Sequence, residues 1–126
     1  MELVRILVVD DFEPWRCFVQ SVFRGSPEFQ IVGESADGHE AVRMSSELQP
    51  DVVLLDIRLP KLNGFDAARE IQQVSPGTKI VFVSLECSQA MLREAQEIGA
   101  TGFVSKLDVE DGIMNAVMRA LGGSSQ

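Results

Sequence analysis

Three acidic residues stand where apolar runs of the sequence end. Asp10 and Asp11 follow the run Val4–Val9, and Asp56 closes the run formed by residues 52–55. A carboxylate at the end of a buried strand is costly unless it is exposed, paired with a charge or bound to a cation. Mg2+ takes oxygen ligands and leaves coordination positions for phosphate oxygens. The three acids are therefore candidates for a Mg2+ site that assists phosphate chemistry.

Two other polar residues also stand at the ends of apolar runs. Ser84 follows residues 79–83, and Lys106 follows residues 102–105. A hydroxyl can donate a hydrogen bond to a phosphate oxygen, and an ammonium supplies a fixed positive charge. If these residues lie near the acids, they complete a phosphate site.

The elements that must position these residues follow from the alternation of short apolar runs with helical patterns. The predicted strands cover residues 4–9, 29–34, 51–55, 79–83 and 101–105. Their content of Val, Ile, Leu and Phe fits burial on both faces of a parallel sheet. Right-handed crossovers then predict an α/β fold, a five-stranded parallel sheet of flavodoxin-like order 2-1-3-4-5 with five helices on both faces.

The segments between the strands carry apolar residues at helical spacing, which we assign to the core rather than to a cofactor site. The five stripes comprise Trp15, Phe18, Val19, Val22 and Phe23; Ala41, Met44, Ser45 and Leu48; Phe65, Ala68, Ile71 and Gln72; Met91, Ala95 and Ile98; and Ile113, Ala116, Val117, Ala120 and Leu121. In the predicted strand order the first and third strands are neighbours, and ligands bind at their carboxyl ends. Asp10, Asp11 and Asp56 are therefore expected to converge.

These polar residues, in this order and at these intervals, resemble the receiver domains of bacterial two-component response regulators over the whole chain. The matching positions are Asp10 and Asp11, Asp56 with Leu59, Pro60 and Gly64, Ser84, and Lys106. The resemblance implies that Asp56 accepts a phosphoryl group from a sensor histidine kinase, a phosphotransfer protein or a small phosphodonor. It also implies a chain that is no enzyme beyond its own phosphorylation and dephosphorylation.

The resemblance further implies a role for each surrounding residue. Asp11 and Asp56 would bind Mg2+ directly with the backbone carbonyl of Arg58, and Asp10 would act through water. Lys106 would pair with the phosphoryl group, and Ser84 would donate a hydrogen bond to it.

Phosphorylation would then switch the face formed by the fourth helix, fifth strand and fifth helix. Phe103 fits the aromatic position that reorients in this switch, although an apolar residue in that strand is more simply interpreted as part of the core.

Two residues depart from the common pattern of the family, and two others flank the site. Leu85 follows Ser84 where many receivers carry Ala or Gly, so its side chain is expected to narrow access to Asp56. Leu107 follows Lys106 where proline is frequent, which favours a trans peptide bond. Arg58 and Glu86 have opposite charges and are expected to pair across the mouth of the site.

The composition excludes several classes of function. Eleven Lys and Arg against nineteen Asp and Glu give a net charge of -8, which disfavours direct binding to nucleic acid or to an anionic membrane. No apolar run approaches the roughly 20 residues of a membrane span, and we expect a cytoplasmic protein. Cys17 and Cys87 match no metal or redox spacing and are expected to be reduced thiols, buried or half-buried. His39, the single histidine, is expected at the surface.

The length of 126 residues predicts one domain, with residues 1–121 as the receiver and residues 122–126 as a flexible tail or the start of a linker. Residues 99–106 resemble receivers that precede helix-turn-helix output domains, so such a domain is expected beyond the carboxyl terminus. A phosphorylation-dependent homodimer is a further expectation.

Two other functions are compatible with these residues. A receiver that binds partners without phosphorylation would have the same fold, and Leu85 favours it. A small Mg2+-dependent phosphate hydrolase would use Asp10 as its nucleophile. Such hydrolases usually carry a second acid two positions later, where this chain has Phe12.

Overall fold

In a computed structural model of the chain, which describes residues 3–108 and 111–122, five β-strands alternate with five α-helices. The strands are β1 (Val4–Val9), β2 (Phe29–Ser35), β3 (Val52–Asp56), β4 (Lys79–Ser84) and β5 (Gly102–Ser105). The helices are α1 (Glu13–Phe23), α2 (Gly38–Leu48), α3 (Gly64–Val74), α4 (Gln89–Ile98) and α5 (Asp111–Ala120). Every strand boundary lies within about one residue of its predicted position, as apolar runs bounded by turns allow.

The strands form one parallel sheet in the order β2-β1-β3-β4-β5, which confirms the predicted topology. The register explains why the acids meet, because Val9 of β1 pairs with Leu55 of β3. The residues that follow this pair are Asp10, directly after β1, and Asp56, the last residue of β3, so the two acids lie side by side. On the opposite side of β3, Asp56 pairs with Val83, which precedes Ser84.

Helices cover both faces of the sheet, and each face has its own apolar core. Ile6 of β1 belongs to a cluster with Val19 of α1 and Ile113 of α5. The next residue, Leu7, points to the other face and belongs to a cluster formed with α2, α3 and α4. This alternation follows from the two-residue period of a strand, and it leaves the carboxyl edge of the sheet to polar residues.

The apolar residues of the predicted helical stripes lie in these two clusters, except Leu121. The prediction of Leu121 as a core residue is wrong, because α5 ends at Ala120 and Leu121 is 40% exposed. Gly122 follows with a left-handed φ of 83°, so the chain leaves the helix at this point. Residues 123–126 of the predicted tail lie outside the described residues.

Gly64 allows α3 to start against the end of β3. A Cβ atom at this position would lie 2.3 Å from the carbonyl oxygen of Asp56 and 2.6 Å from Cα of Ile57. The Gly64 N–H also donates to the carbonyl of Ile57 at 2.7 Å. Asn63 caps the same helix by accepting from the N–H of Asp66. The loop that follows Asp56 is thus held tightly against the strand.

Both cysteines are free and exposed, so the prediction of buried or half-buried thiols is wrong. Cys17 lies in α1 off the apolar stripe of that helix, and Cys87 lies in the loop between β4 and α4. His39 is exposed, as predicted. Among the described residues, the helices are too short and too polar for any of them to cross a bilayer.

Candidate functional site

The three predicted acids converge at the carboxyl edge of the sheet. Asp10, Asp11 and Asp56 each place one carboxylate oxygen within 4.8 Å of those of the other two. Asp10 and Asp56 are buried, whereas Asp11 is exposed. The register of β1 and β3 therefore produces the predicted cluster.

Asp10 is the most enclosed of the three acids, with 1% exposure. Its Oδ1 accepts a hydrogen bond from the N–H of Phe12 at 2.9 Å, and Lys106 Nζ lies 2.5 Å from its Oδ2. That ionic contact lacks hydrogen-bond geometry, so Oδ2 has no hydrogen-bond partner among the described residues. Arg16 donates to the backbone carbonyl of Asp10 at 2.6 Å and so fixes the end of β1.

Asp56 is 6% exposed, and its environment favours the protonated form. Burial raises the pKa of Asp56 to about 6, with a second contribution from repulsion by Asp10. Lys106 and a hydrogen bond from the backbone of Arg58 act in the opposite direction, and the charge of Asp11 adds a small further increase. Two carboxylates that repel each other at a buried edge are a favourable place for a cation.

Lys106 follows β5 and points back across the sheet edge. Its Nζ lies 2.5 Å from Asp10 Oδ2 and 3.8 Å from Asp56 Oδ2, and its side chain is only 12% exposed. Its backbone N–H donates to the carbonyl of Ser84 at 2.9 Å, which joins the ends of β4 and β5. The ring of Trp15 lies on another side of the ammonium, with its centroid 5.1 Å away.

Ser84 is 2% exposed at the end of β4. Its hydroxyl oxygen accepts a hydrogen bond from the N–H of Glu86 at 3.1 Å. The hydroxyl is the acceptor in this bond, so its own hydrogen remains available to a ligand oxygen.

The acids, Ser84 and Lys106 line one cleft of about 590 Å³. Arg58 and Glu86 form an ion pair at its mouth, which confirms the predicted pairing. Leu85 lines the rim of the cleft but is 63% exposed, so most of its side chain faces solvent. Leu107 is 76% exposed, and the peptide bond before it is trans, as predicted.

Phe103 lies in β5 and is half-buried. Its ring packs against that of Phe82, with 6.4 Å between centroids, within the core cluster that faces α4. This position is compatible with both predicted readings of Phe103, a core residue and a residue that reorients.

The donor set of the cluster fits a divalent cation. Three carboxylates offer only oxygen ligands, which Mg2+ prefers. In the part of the chain that the structure describes, the buried Oδ2 of Asp10 has an ionic contact with Lys106 but no hydrogen-bond partner, and burial destabilises the anion of Asp56. Arg58, the predicted source of a carbonyl ligand, lines the same cleft.

Two residues near the site were assigned no role from the sequence. The helical spacing indicates only a core position for Trp15, and it indicates no role for Arg16. The signal that could have identified them is their position in the first turns of the helix that follows Asp10 and Asp11, because that helix must pass close to the carboxyl edge.

Comparison with known proteins agrees with this geometry. A family model of the response regulator receiver domain matches residues 6–118. The chemotaxis protein CheY of Thermotoga maritima is 38% identical over 102 residues, which cover 81% of this chain and 84% of CheY. The transcriptional regulatory protein DegU of Brevibacillus brevis is 32% identical over 114 residues, which cover 90% of this chain. The same 114 residues cover 48% of DegU, so the chain spans about half the length of that relative.

Among solved structures, the response regulator domain of Thermotoga maritima CheB matches with a TM-score of 0.88 at 31% identity. The match covers 96% of this chain and 98% of the CheB domain. The family match, the sequence relatives and the shared fold agree with the cluster of polar residues at the sheet edge. The chain belongs to the response regulator receiver domains of two-component signalling.

Proposed function

We propose that this receiver is a phosphoacceptor, in which Asp56 takes a phosphoryl group from a sensor histidine kinase, a phosphotransfer protein or a small phosphodonor. The observation that carries the proposal is the convergence of Asp10, Asp11, Asp56, Ser84 and Lys106 around one cleft. Phosphoryl transfer depends on positioning and charge neutralisation more than on covalent help. This cleft supplies both.

The reaction is a transfer between two protein side chains. A carboxylate oxygen of Asp56 forms a bond to phosphorus while the bond from phosphorus to the donor imidazole nitrogen breaks. The product is an aspartyl phosphate, and the imidazole leaves with the electron pair of the broken bond, neutral because its other ring nitrogen carries a proton. With a pKa of about 6, Asp56 is mostly ionised at neutral pH and can act as the nucleophile.

The proposed ligands of Mg2+ are the carboxylates of Asp11 and Asp56 and the backbone carbonyl of Arg58, with Asp10 acting through water. Bound Mg2+ would neutralise negative charge on the phosphoryl oxygens. Lys106 holds a second positive charge between Asp10 and Asp56, 3.8 Å from the attacking carboxylate. The metal and the lysine thus offset the charge that gathers when a phosphoryl group approaches a carboxylate.

The proposed switch requires several contacts with the phosphoryl group. A hydrogen bond to a charged group contributes about 1.5 to 3 kcal/mol, whereas inverting a 1:99 population takes about 5.5 kcal/mol. Ser84 alone therefore cannot drive the change, and Lys106 and backbone donors must act with it. The affected face would be α4, β5 and α5, with Phe103 as the reorienting residue and a homodimer as one outcome.

The proposed partners follow from the same family. A histidine kinase or phosphotransfer protein supplies the phosphoryl group. DegU, a transcriptional regulatory protein, is about twice as long as the matched region, which supports an output domain beyond this chain. That this domain is of helix-turn-helix type rests on the resemblance of residues 99–106. Direct binding to DNA by the receiver is not proposed, because its net charge is -8. The chemistry is confined to phosphorylation and dephosphorylation of the chain itself, without turnover of a separate substrate.

The hydrolase alternative is disfavoured by the environment of Asp10. That carboxylate is 1% exposed, with one oxygen bonded to the N–H of Phe12 and the other against Lys106. A nucleophile needs a free oxygen. Both acids line the cleft, but both oxygens of Asp10 are engaged, and Asp56 is the less enclosed of the two. The partner-binding alternative requires no phosphorylation and is decided by the experiment below.

The test is incubation of the protein with Mg2+ and acetyl phosphate, followed by intact mass measurement. We expect one added phosphoryl group, labile to hydroxylamine and absent in Asp56→Ala. An unmodified wild-type chain would favour the partner-binding receiver. Labelling that survives in Asp56→Ala but is lost in Asp10→Ala would favour the hydrolase.

A further inference from the structure

We propose that Trp15 is a positioning residue for Lys106, whose ammonium it holds against Asp10 and Asp56 through the face of its indole ring. This inference rests on the proposed phosphoacceptor function, in which Lys106 pairs with the incoming phosphoryl group. Trp15 does not line the cleft and would act only through the lysine.

The surroundings of the ammonium leave one side for the ring. Lys106 Nζ contacts Asp10 Oδ2 at 2.5 Å and Asp56 Oδ2 at 3.8 Å. The centroid of the Trp15 ring lies 5.1 Å from the same atom, within the range of a cation–π interaction. The lysine side chain is 12% exposed, so the ring replaces part of the water that would otherwise solvate the charge.

Lysine needs such support because it is a point charge on a flexible stem of four carbons. The backbone of Lys106 is fixed by the bond to Ser84, but this bond does not restrict the side chain. Three other large apolar residues at this end of the sheet give little cover, since Phe12, Leu85 and Leu107 are 61%, 63% and 76% exposed. Trp15, by contrast, is half-buried, and its ring faces the ammonium.

Trp15 is itself held rigidly. It lies in the first turn of α1, where its N–H donates to the carbonyl of Phe12 at 3.0 Å. Its ring packs on that of Phe18 with 5.3 Å between centroids, and it packs against the core cluster of α1, α5 and the sheet. Helix α1 therefore holds the ring of Trp15 in a fixed position beside the ammonium of Lys106.

A cation–π contact suits a charge that must change partners. The attraction to a ring face is less directional than a hydrogen bond, so the ammonium can turn from Asp10 toward a phosphoryl group on Asp56 while it stays against the ring. Without the ring, the ammonium would spend more time in solvent, away from the cleft. Phosphorylation would then slow although every residue of the cleft is still present.

The test compares Trp15→Leu and Trp15→Phe with wild type, using the rate of Asp56 labelling by acetyl phosphate at saturating Mg2+. We expect Trp15→Leu to lower the rate constant about fivefold to thirtyfold, equivalent to about 1 to 2 kcal/mol. Trp15→Phe should be intermediate, because it keeps a ring with a weaker attraction for cations. In a Lys106→Met background, Trp15→Leu should cause no further loss.

Phe18→Leu is the matched control, since it removes the neighbouring ring of the same helix without removing the ring that faces Lys106. Its rate should stay within about twofold of wild type, well below the effect of a lost cation–π contact. An equal loss in Phe18→Leu, or a wild-type rate in Trp15→Leu, would overturn the inference. So would a further loss on adding Trp15→Leu to Lys106→Met.

A nuclear magnetic resonance measurement separates this inference from the proposed function. The ε-protons of Lys106 should resonate upfield in wild type relative to Trp15→Leu, because they lie over the face of the indole ring. Phe18→Leu should leave them upfield. If wild type takes no phosphoryl label, the proposed function fails, and these resonances still decide whether Trp15 holds the lysine. Identical resonances in wild type and Trp15→Leu would refute it.

Discussion

Replacing Asp56 with asparagine should raise the free energy of unfolding of the metal-free protein at neutral pH. The change keeps the size and shape of the side chain and removes a negative charge that is 6% exposed and close to Asp10. Burial is the main cause of the raised pKa of Asp56, and repulsion by Asp10 is the second. The ionised carboxylate therefore lowers the free energy of unfolding, and a neutral amide avoids this penalty.

The magnitude follows from the two pKa values. A folded pKa of about 6 against an ordinary value of 3.8 corresponds to a penalty of at most about 3 kcal/mol once the group is ionised. The attraction of Lys106 and the bond from the Arg58 backbone already lower this pKa, so the penalty includes them. Asparagine still buries a polar amide at this position, so we expect a net gain of about 1 to 2 kcal/mol, less than the full ionisation penalty.

The sign of the pH dependence is fixed by which state binds the proton more tightly. The folded chain keeps the proton of Asp56 above the pH at which the unfolded chain releases it, so the contribution of Asp56 to wild-type stability falls as pH rises from about 4 to 6. The gain from Asp56→Asn should be absent below about pH 4 and complete above about pH 7, outside the window set by the two pKa values.

The assay is urea unfolding in the presence of a chelator at pH 7.5 and at pH 4. Asp11→Asn is the matched control, because it removes a charge from the same cluster at an exposed position and should stabilise much less. An Asp56→Asn protein that is no more stable than wild type at pH 7.5 would refute the reasoning. An equal gain at both pH values would also refute it, since the penalty would not come from ionisation.

Three further predictions follow from the same geometry. Mg2+ at a hundred times its dissociation constant should stabilise wild type by about 2.7 kcal/mol in thermal or urea unfolding, and much less in Asp56→Asn or Asp11→Asn; equal stabilisation of all three would place the metal elsewhere. Gly64→Ala should cost about 2 kcal/mol or more in urea unfolding, because its Cβ would lie 2.3 Å from the Asp56 carbonyl oxygen, whereas Gly77→Ala, which meets no atom within 4 Å, should be nearly neutral; similar costs would contradict the close packing. Glu86→Gln should leave the unfolding midpoint unchanged but shorten the life of the aspartyl phosphate, followed by mass spectrometry, because the ion pair with Arg58 no longer covers the cleft mouth; an unchanged lifetime would rule out that cover.

The parts of the fold that the sequence predicts correctly depend on local patterns. Apolar runs of four to six residues with polar ends identify the strands, and helical spacing identifies the buried faces of the helices. The position of Asp10 beside Asp56 needed one further step, the strand order, because the register of β1 and β3 turns two separate strand ends into neighbours. Right-handed crossovers leave few strand orders to consider, so this step succeeded.

The features that the sequence does not predict depend on contacts between distant residues. The ring of Trp15 reaches Lys106 only because α1 begins and β5 ends near the same edge of the sheet, although about 90 residues separate them. Cysteine is usually buried, and this general preference failed for Cys17, which lies off the apolar stripe of α1. Leu121 fits the helical spacing of α5, but the helix ends one residue earlier.

The most direct test of the central claim is to locate the phosphoryl group on the chain. After labelling with acetyl phosphate and Mg2+, the aspartyl phosphate is reduced with borohydride, and the protein is digested and sequenced by mass spectrometry. We predict modification at Asp56 alone, with label lost when Mg2+ is chelated. Modification at Asp10 or Asp11, or labelling that does not require Mg2+, would contradict the assignment of Asp56 as the phosphoacceptor beside a metal site.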